Sequence, residues 1–97
     1  MHLEILRVFC DLAELRSFSR TAEKHLLSQS AVSQQLGQLE LVYKCQLVNR
    51  KKRPIELTKE GDLLHQAAKD ILDRHEQLKH ELNALKRSST SRINVAA

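Results

Sequence analysis

Five side chains in one short stretch carry the most specific chemistry of the chain: Ser28, Gln29, Ser30, Ser33 and Gln34. Hydroxyls and primary amides both donate and accept hydrogen bonds, and none of these groups bears a full charge. On an exposed helical face they suit a ligand that presents patterned donors and acceptors, such as base edges in the major groove with phosphates beside them. A face built for solubility alone would be Glu and Lys. A second cluster, Arg50, Lys51, Lys52 and Arg53, offers positive charge that a nucleic-acid backbone or minor groove would attract. Exposed basic runs are also common in solvated turns, so this one takes its meaning from its neighbours.

The elements that would position these groups follow from the apolar spacing. Ser28 is a good helix N-cap. Val32, Leu36, Leu39 and Tyr43 then recur at intervals of four, three and four, which predicts a helix over 28–43 with one buried face. A shorter helix over 19–26, capped by Ser17 or Ser19, precedes it, with Phe18 and Ala22 inward and Leu26 and Leu27 closing the turn. A connection that tight sets the two helices at a steep angle and leaves the second projecting. A first helix over 3–15 buries Leu3, Leu6, Phe9 and Leu12, with Ile5 and Val8 widening the stripe. After Tyr43 the helical period stops. Residues 46–50 and 54–57 read as two short strands around the basic tip, and Pro54 suits the start of an edge strand.

Thr58 caps a long helix expected to end at about Lys86. Its seam is Leu64, Ala68, Ile71, His75, Leu78, Leu82 and Leu85, a heptad spacing that predicts pairing with a second copy of the chain. His75 is read as an interfacial residue with a hydrated ring edge. Residues 88–91 are a polar linker, and 92–97 alternate like the first strand of a further domain. The expected organisation is therefore a winged helix-turn-helix over 1–58, a linker and dimerisation helix over 59–87, and a hinge with the start of an effector domain over 88–97. The fold class is mainly α, with three helices, a two-stranded wing and the long helix.

Composition narrows the alternatives. Only 3% of residues are aromatic, so the core is aliphatic. No run of about 18 apolar residues exists, and the N-terminus lacks a signal-peptide pattern, so the chain reads as cytosolic. Cys10 and Cys45 form no C-x-x-C pair, and the five histidines show no metal-ligand spacing, so no metal is expected. With only Gly37 and Gly61 there is no glycine loop to cradle a nucleotide, and no nucleophile or dinucleotide motif, so an enzyme is not expected. The net charge of +4 is modest. Residues 1–57 hold nine Lys and Arg against six Asp and Glu, which places most of the excess in the winged part. A coiled-coil interaction module whose winged head docks protein is the alternative from another class.

The residues Ser17-Phe18-Ser19-Arg20-Thr21-Ala22-Glu23, then Ser28-Gln29-Ser30-Ala31-Val32-Ser33-Gln34-Gln35-Leu36 with Leu39-Glu40, resemble the helix-turn-helix of LysR-type transcriptional regulators. Arg50, Ile55-Glu56-Leu57-Thr58 and Gly61 continue the likeness through the wing into the long helix, so it covers essentially the whole chain. The resemblance implies a bacterial regulator that binds double-stranded DNA at an interrupted palindrome as a dimer or tetramer. It implies that Gln29, Ser30, Ser33 and Gln34 reach the major groove, with Ser28 and Ser33 near phosphates. Arg50, Lys52 and Arg53 would lie at the backbone or minor groove. It further implies that the long helices pair antiparallel, and that a small-molecule coinducer acts on a C-terminal domain, with no cofactor for this part. The chain departs from the family pattern at Ser30, where proline is common, at Gly37, at Cys45 and at Val48-Asn49.

Overall fold

The structure, a computed structural model, describes the backbone of residues 3–96 and the side chains of residues 3–87. Six elements follow in order: α1 (Leu3–Leu15), α2 (Phe18–His25), α3 (Gln29–Tyr43), β1 (Val48–Asn49), β2 (Glu56–Leu57) and α4 (Lys59–Ala96). Of the two candidate caps for α2, Ser17 serves. It is extended, and its Oγ accepts the Arg20 amide at 3.1 Å. Ser28 does the same for α3, accepting from the Ala31 amide at 3.1 Å. At Thr58, Oγ1 accepts the Gly61 amide at 3.0 Å and donates to the Gln46 carbonyl at 2.6 Å. That side chain starts α4 and fastens it to the approach to β1.

The core is one aliphatic cluster with Phe9 as its buried aromatic ring. Leu6, Phe9 and Leu12 of α1 meet Ala22 of α2, Val32, Leu36 and Leu39 of α3, Leu47, Val48 and Ile55 of the wing, and Ala68 of α4. Thr21 is buried with its hydroxyl satisfied, donating to the Ser17 carbonyl at 2.7 Å. The strands pair antiparallel, Val48 with Leu57 and Asn49 with Glu56, so the unusual residues at 48–49 still form the hairpin.

Three expectations are corrected. Tyr43 is 45% exposed, because the last turn of α3 runs past the elements that cover Val32, Leu36 and Leu39. Leu27 packs against the core, whereas Leu26 is 93% exposed. Leu26 adopts a left-handed conformation (φ 56°, ψ 42°) in which the turn aims its side chain outward. That geometry costs a residue with a Cβ about 1 kcal/mol or more. Leu26→Gly is therefore expected to stabilise the chain by about 0.5–1 kcal/mol in urea or thermal unfolding, since the capping bonds from this turn to Ala22 and Glu23 use only backbone.

The third correction concerns α4. Ala68 is fully buried in the chain's own core, and Leu64 and Leu72 pack against it. Ala68 is thus not free for a second copy, and Leu64 is free only in part. Two contacts join this face of α4 to α1: the Arg7–Glu76 ion pair and a hydrogen bond between His65 and Glu14, each 3.3 Å long. Hydrogen bonding from Lys79, together with its charge, holds the Glu76 carboxyl below the usual range. Ile71, Leu78, Leu82 and Leu85 remain exposed and are joined by Leu63, which is 70% exposed. At 100° per residue, these five fall within an arc of about 100°, roughly a quarter-turn from the line that faces the head. His75 is half-buried between the two lines.

The helix also continues past the expected end at Lys86 and through 88–91, the segment read as a linker. A strand at 92–97 would need a partner strand for its backbone groups, and helical bonding satisfies them locally. The side chains beyond Arg87, and Ala97 altogether, lie outside the described residues.

Candidate nucleic-acid interface

α3 is held from beneath. Val32, Leu36 and Leu39 are each at most 2% exposed, so its outward face is set by packing. Gln29, Ser30 and Gln34 are exposed on that face, and Ser33 is half-covered. Ser28 and Ser30 place their hydroxyls 3.1 Å apart, so the cap and its neighbour form one small polar unit at the helix start. The projecting end of α3 carries no acidic residue in its first turn, which leaves the positive end of the helix dipole uncompensated.

The wing stands beside this end. Asn49 Oδ1 accepts the Lys51 amide at 3.0 Å and turns the chain out of β1. The Arg53 guanidinium donates to the Arg50 carbonyl and, at 3.1 Å, to the Lys52 carbonyl, so the tip closes on itself. Lys51, Lys52 and Arg53 are exposed. A shallow groove lined by Arg16, Ser17, Phe18, Gln29, Arg53 and Ile55 joins the wing to the starts of α2 and α3. It brings together Gln29 and Arg53, which are far apart in sequence.

Arg50 behaves differently from its basic neighbours. Its Nη1 donates to Ser33 Oγ at 2.5 Å, its Nη2 lies 3.5 Å from the Ser33 carbonyl, and its guanidinium carbon sits 5.2 Å from the centre of the Phe18 ring. All four residues of the basic run are exposed, but the Arg50 guanidinium is turned on to α3 whereas that of Arg53 is bound to carbonyls of the tip itself. Arg16 also belongs to this region, although nothing in its local pattern marks it. Its guanidinium donates to the Ala13 carbonyl at 2.8 Å and to the Ile55 carbonyl at 3.3 Å, tying α1 to the wing.

His25 meets Asp11 at 2.6 Å and Glu4 at 3.6 Å, between α2 and α1. Burial, with help from the Glu14 and Asp11 charges, pushes the Cys10 thiol up to about 11, which makes it a poor nucleophile. Among the described residues there is no group of three or more His, Cys, Asp or Glu side chains that could hold a metal. No helix in them is long and apolar enough to cross a membrane.

Comparison with known proteins agrees with this geometry. Residues 3–62 match the family described as bacterial regulatory helix-turn-helix protein, lysR family. The chain is similar to the HTH-type transcriptional regulator CysL of Bacillus subtilis, with 32% identity over 97 residues, covering 100% of this chain and 32% of that protein. The chain thus spans about a third of the length of that curated relative. Among solved structures it resembles the BenM DBD in complex with catB site 1 DNA, BenM being a regulator of Acinetobacter baylyi. There the TM-score is 0.82 at 32% identity, covering 86% of this chain and 92% of that one. It also resembles Vibrio fischeri DarR in complex with DNA, with a TM-score of 0.85 at 31% identity, covering 90% of this chain and 30% of that one.

Proposed function

The chain belongs to the lysR family of bacterial regulatory helix-turn-helix proteins, and from that premise we propose that it is the DNA-reading part of a cytoplasmic transcriptional regulator. The observation that carries this reading is the exposed, uncharged amide and hydroxyl face of α3, pinned from below by Val32, Leu36 and Leu39. Gln29, Ser30, Ser33 and Gln34 read base edges in the major groove, and Ser28 lies at a phosphate. Lys52 and Arg53 of the wing follow the backbone or the minor groove. The protein-docking alternative has no observation of its own, and two of the solved relatives are complexes with DNA.

The second copy required for a palindromic site comes through α4. An antiparallel pair crossing near Arg74 sets Leu63 opposite Leu85 and Ile71 opposite Leu78, so one self-complementary stripe serves both copies. Arg74 at the crossing is already accompanied by Gln77 and Glu81, each 3.4 Å away. Higher assembly to a tetramer and response to a small-molecule coinducer belong to a C-terminal domain of the full-length regulator.

The test is a salt titration on duplex DNA, first selected from a library with a randomised core and then compared with a scrambled duplex. Wild-type protein is expected to prefer the selected duplex. Replacing Lys51, Lys52 and Arg53 by alanine should flatten the dependence of log affinity on log salt by about one unit for each phosphate the wing no longer neutralises. Gln29→Ala should relax preference at one base pair, reducing discrimination there by about 1–3 kcal/mol. Equal binding to both duplexes at every salt concentration would refute the reading.

A further inference from the structure

Arg50 occupies a position that no simple phosphate contact explains. Three elements converge on it: the end of β1, which supplies the residue; α3, whose Ser33 accepts from its Nη1 at 2.5 Å; and the first residue of α2, whose ring lies 5.2 Å beneath the guanidinium carbon. Both bonding nitrogens face α3 in an exposed contact, one toward the Ser33 hydroxyl and the other toward its carbonyl. Arg50 is exposed, yet its guanidinium is placed by the ring on one side and by directional bonds on the other, an arrangement suited to fixing a partner.

The partner is Ser33. A serine hydroxyl has one hydrogen and can accept through its oxygen. With the guanidinium on one of the oxygen's two lone pairs, the hydroxyl hydrogen is directed away from Arg50 and is free to donate to a ligand. We propose that Arg50 is a positioning residue that fixes Ser33 as a hydrogen-bond donor toward DNA and locks the wing to the recognition helix. Ser33 then donates to an acceptor on the duplex, either a phosphate oxygen or a base-edge acceptor such as purine N7, guanine O6 or thymine O4. Arg50 does not itself touch the nucleic acid. This rests on the DNA-reading function proposed above.

A double-substitution cycle tests it by fluorescence anisotropy, using a duplex selected from a randomised-core library and a scrambled duplex. Ser33→Ala and Arg50→Ala are each expected to weaken binding to the selected duplex about tenfold. The double variant should be no weaker than the singles, because both remove the same donor. The slope of log affinity against log salt should stay that of wild type for Arg50→Ala, and Arg50→Lys, which keeps a donor and a cation over Phe18, should recover part of the affinity. A defect confined to one base pair identifies a base edge as the acceptor, and a defect uniform across sequences identifies a phosphate; either supports the proposal. Effects that multiply in the double variant, or a slope reduced by about one in Arg50→Ala, overturn it and put Arg50 on the backbone. Failure of wild-type protein to prefer the selected duplex is a different result, and removes the DNA-reading function itself. Thermal melts confirm that each variant is folded, as expected for substitutions on the exposed side of α3 and the wing.

Discussion

Alanine at position 61 is expected to destabilise the chain by about 3 kcal/mol, lowering the thermal midpoint by roughly 12–24 °C. A Cβ on Gly61 would stand 1.9 Å from the Leu47 carbonyl oxygen and 2.9 Å from its carbon. Neither atom belongs to a side chain that could rotate away. The oxygen is also committed, because it accepts the Thr58 amide at 3.0 Å. On the other side of the same residue, the Leu47 amide donates to Glu40 at 2.9 Å, and its side chain is 1% exposed. Backbone movement to admit the methyl group would therefore disturb the α4 cap, the entry to β1 and the link to α3 together. Circular dichroism melts measure the effect, and a drop of less than a few degrees would show that the junction yields more easily than its bonds imply. The other glycine has no such constraint, since a Cβ on Gly37 would meet nothing within 4 Å.

The second large effect concerns assembly. Converting both Leu78 and Leu82 to Glu should turn dimers into monomers in analytical ultracentrifugation without unfolding the head. Both residues are exposed in the single chain, at 42% and 54%, and neither belongs to the core cluster. Binding to a duplex with two half-sites should then fall by about 10²–10⁴-fold, the advantage that tethering gives the second contact. Binding to an isolated half-site should hardly change. An unaltered sedimentation coefficient would remove the α4 stripe as the interface, whereas a matching fall on the single half-site would mean that the substitutions had damaged the head.

Much of this architecture is written in local signals. Ser28 and Thr58 announce their helices because the capping hydroxyl must come immediately before the first turn, and the hairpin follows from the break in period after Tyr43 and the placing of Pro54. What the spacing leaves undecided is rotation. Leu64 and Ala68 share the four-three rhythm of Leu78, Leu82 and Leu85, yet they lie toward the head-facing side of α4 and pack into its core. An ideal helix turns by 3.6 residues, not 3.5, so a seam read as one stripe drifts around the axis. Leu63, which falls outside the heptad reading, is exposed on the other line. The exposed amide and hydroxyl face of α3 is legible because the apolar spacing of Val32, Leu36 and Leu39 fixes the opposite face as buried. The contacts of Arg50 are not legible, since a run of cations says nothing about which of them meets α3, and Ser33 and Phe18 are 17 and 32 positions away in the chain.

The meeting of Gly61 with Leu47 has a mechanical consequence. Because backbone touches backbone there, without a pliable side chain between, the junction acts as a stiff fulcrum for α4, with the Arg7–Glu76 pair as a brace farther along. Leu64, Ala68 and Leu72 hold the first turns to the core, so the free arm runs from Glu76 to Ala96, roughly 30 Å, and a tilt of about 5° there displaces its far end by roughly 2.6 Å. Leu47, which meets Gly61 on one side, holds Glu40 of α3 through its amide on the other, so α4, the entry to the wing and α3 are joined at one residue.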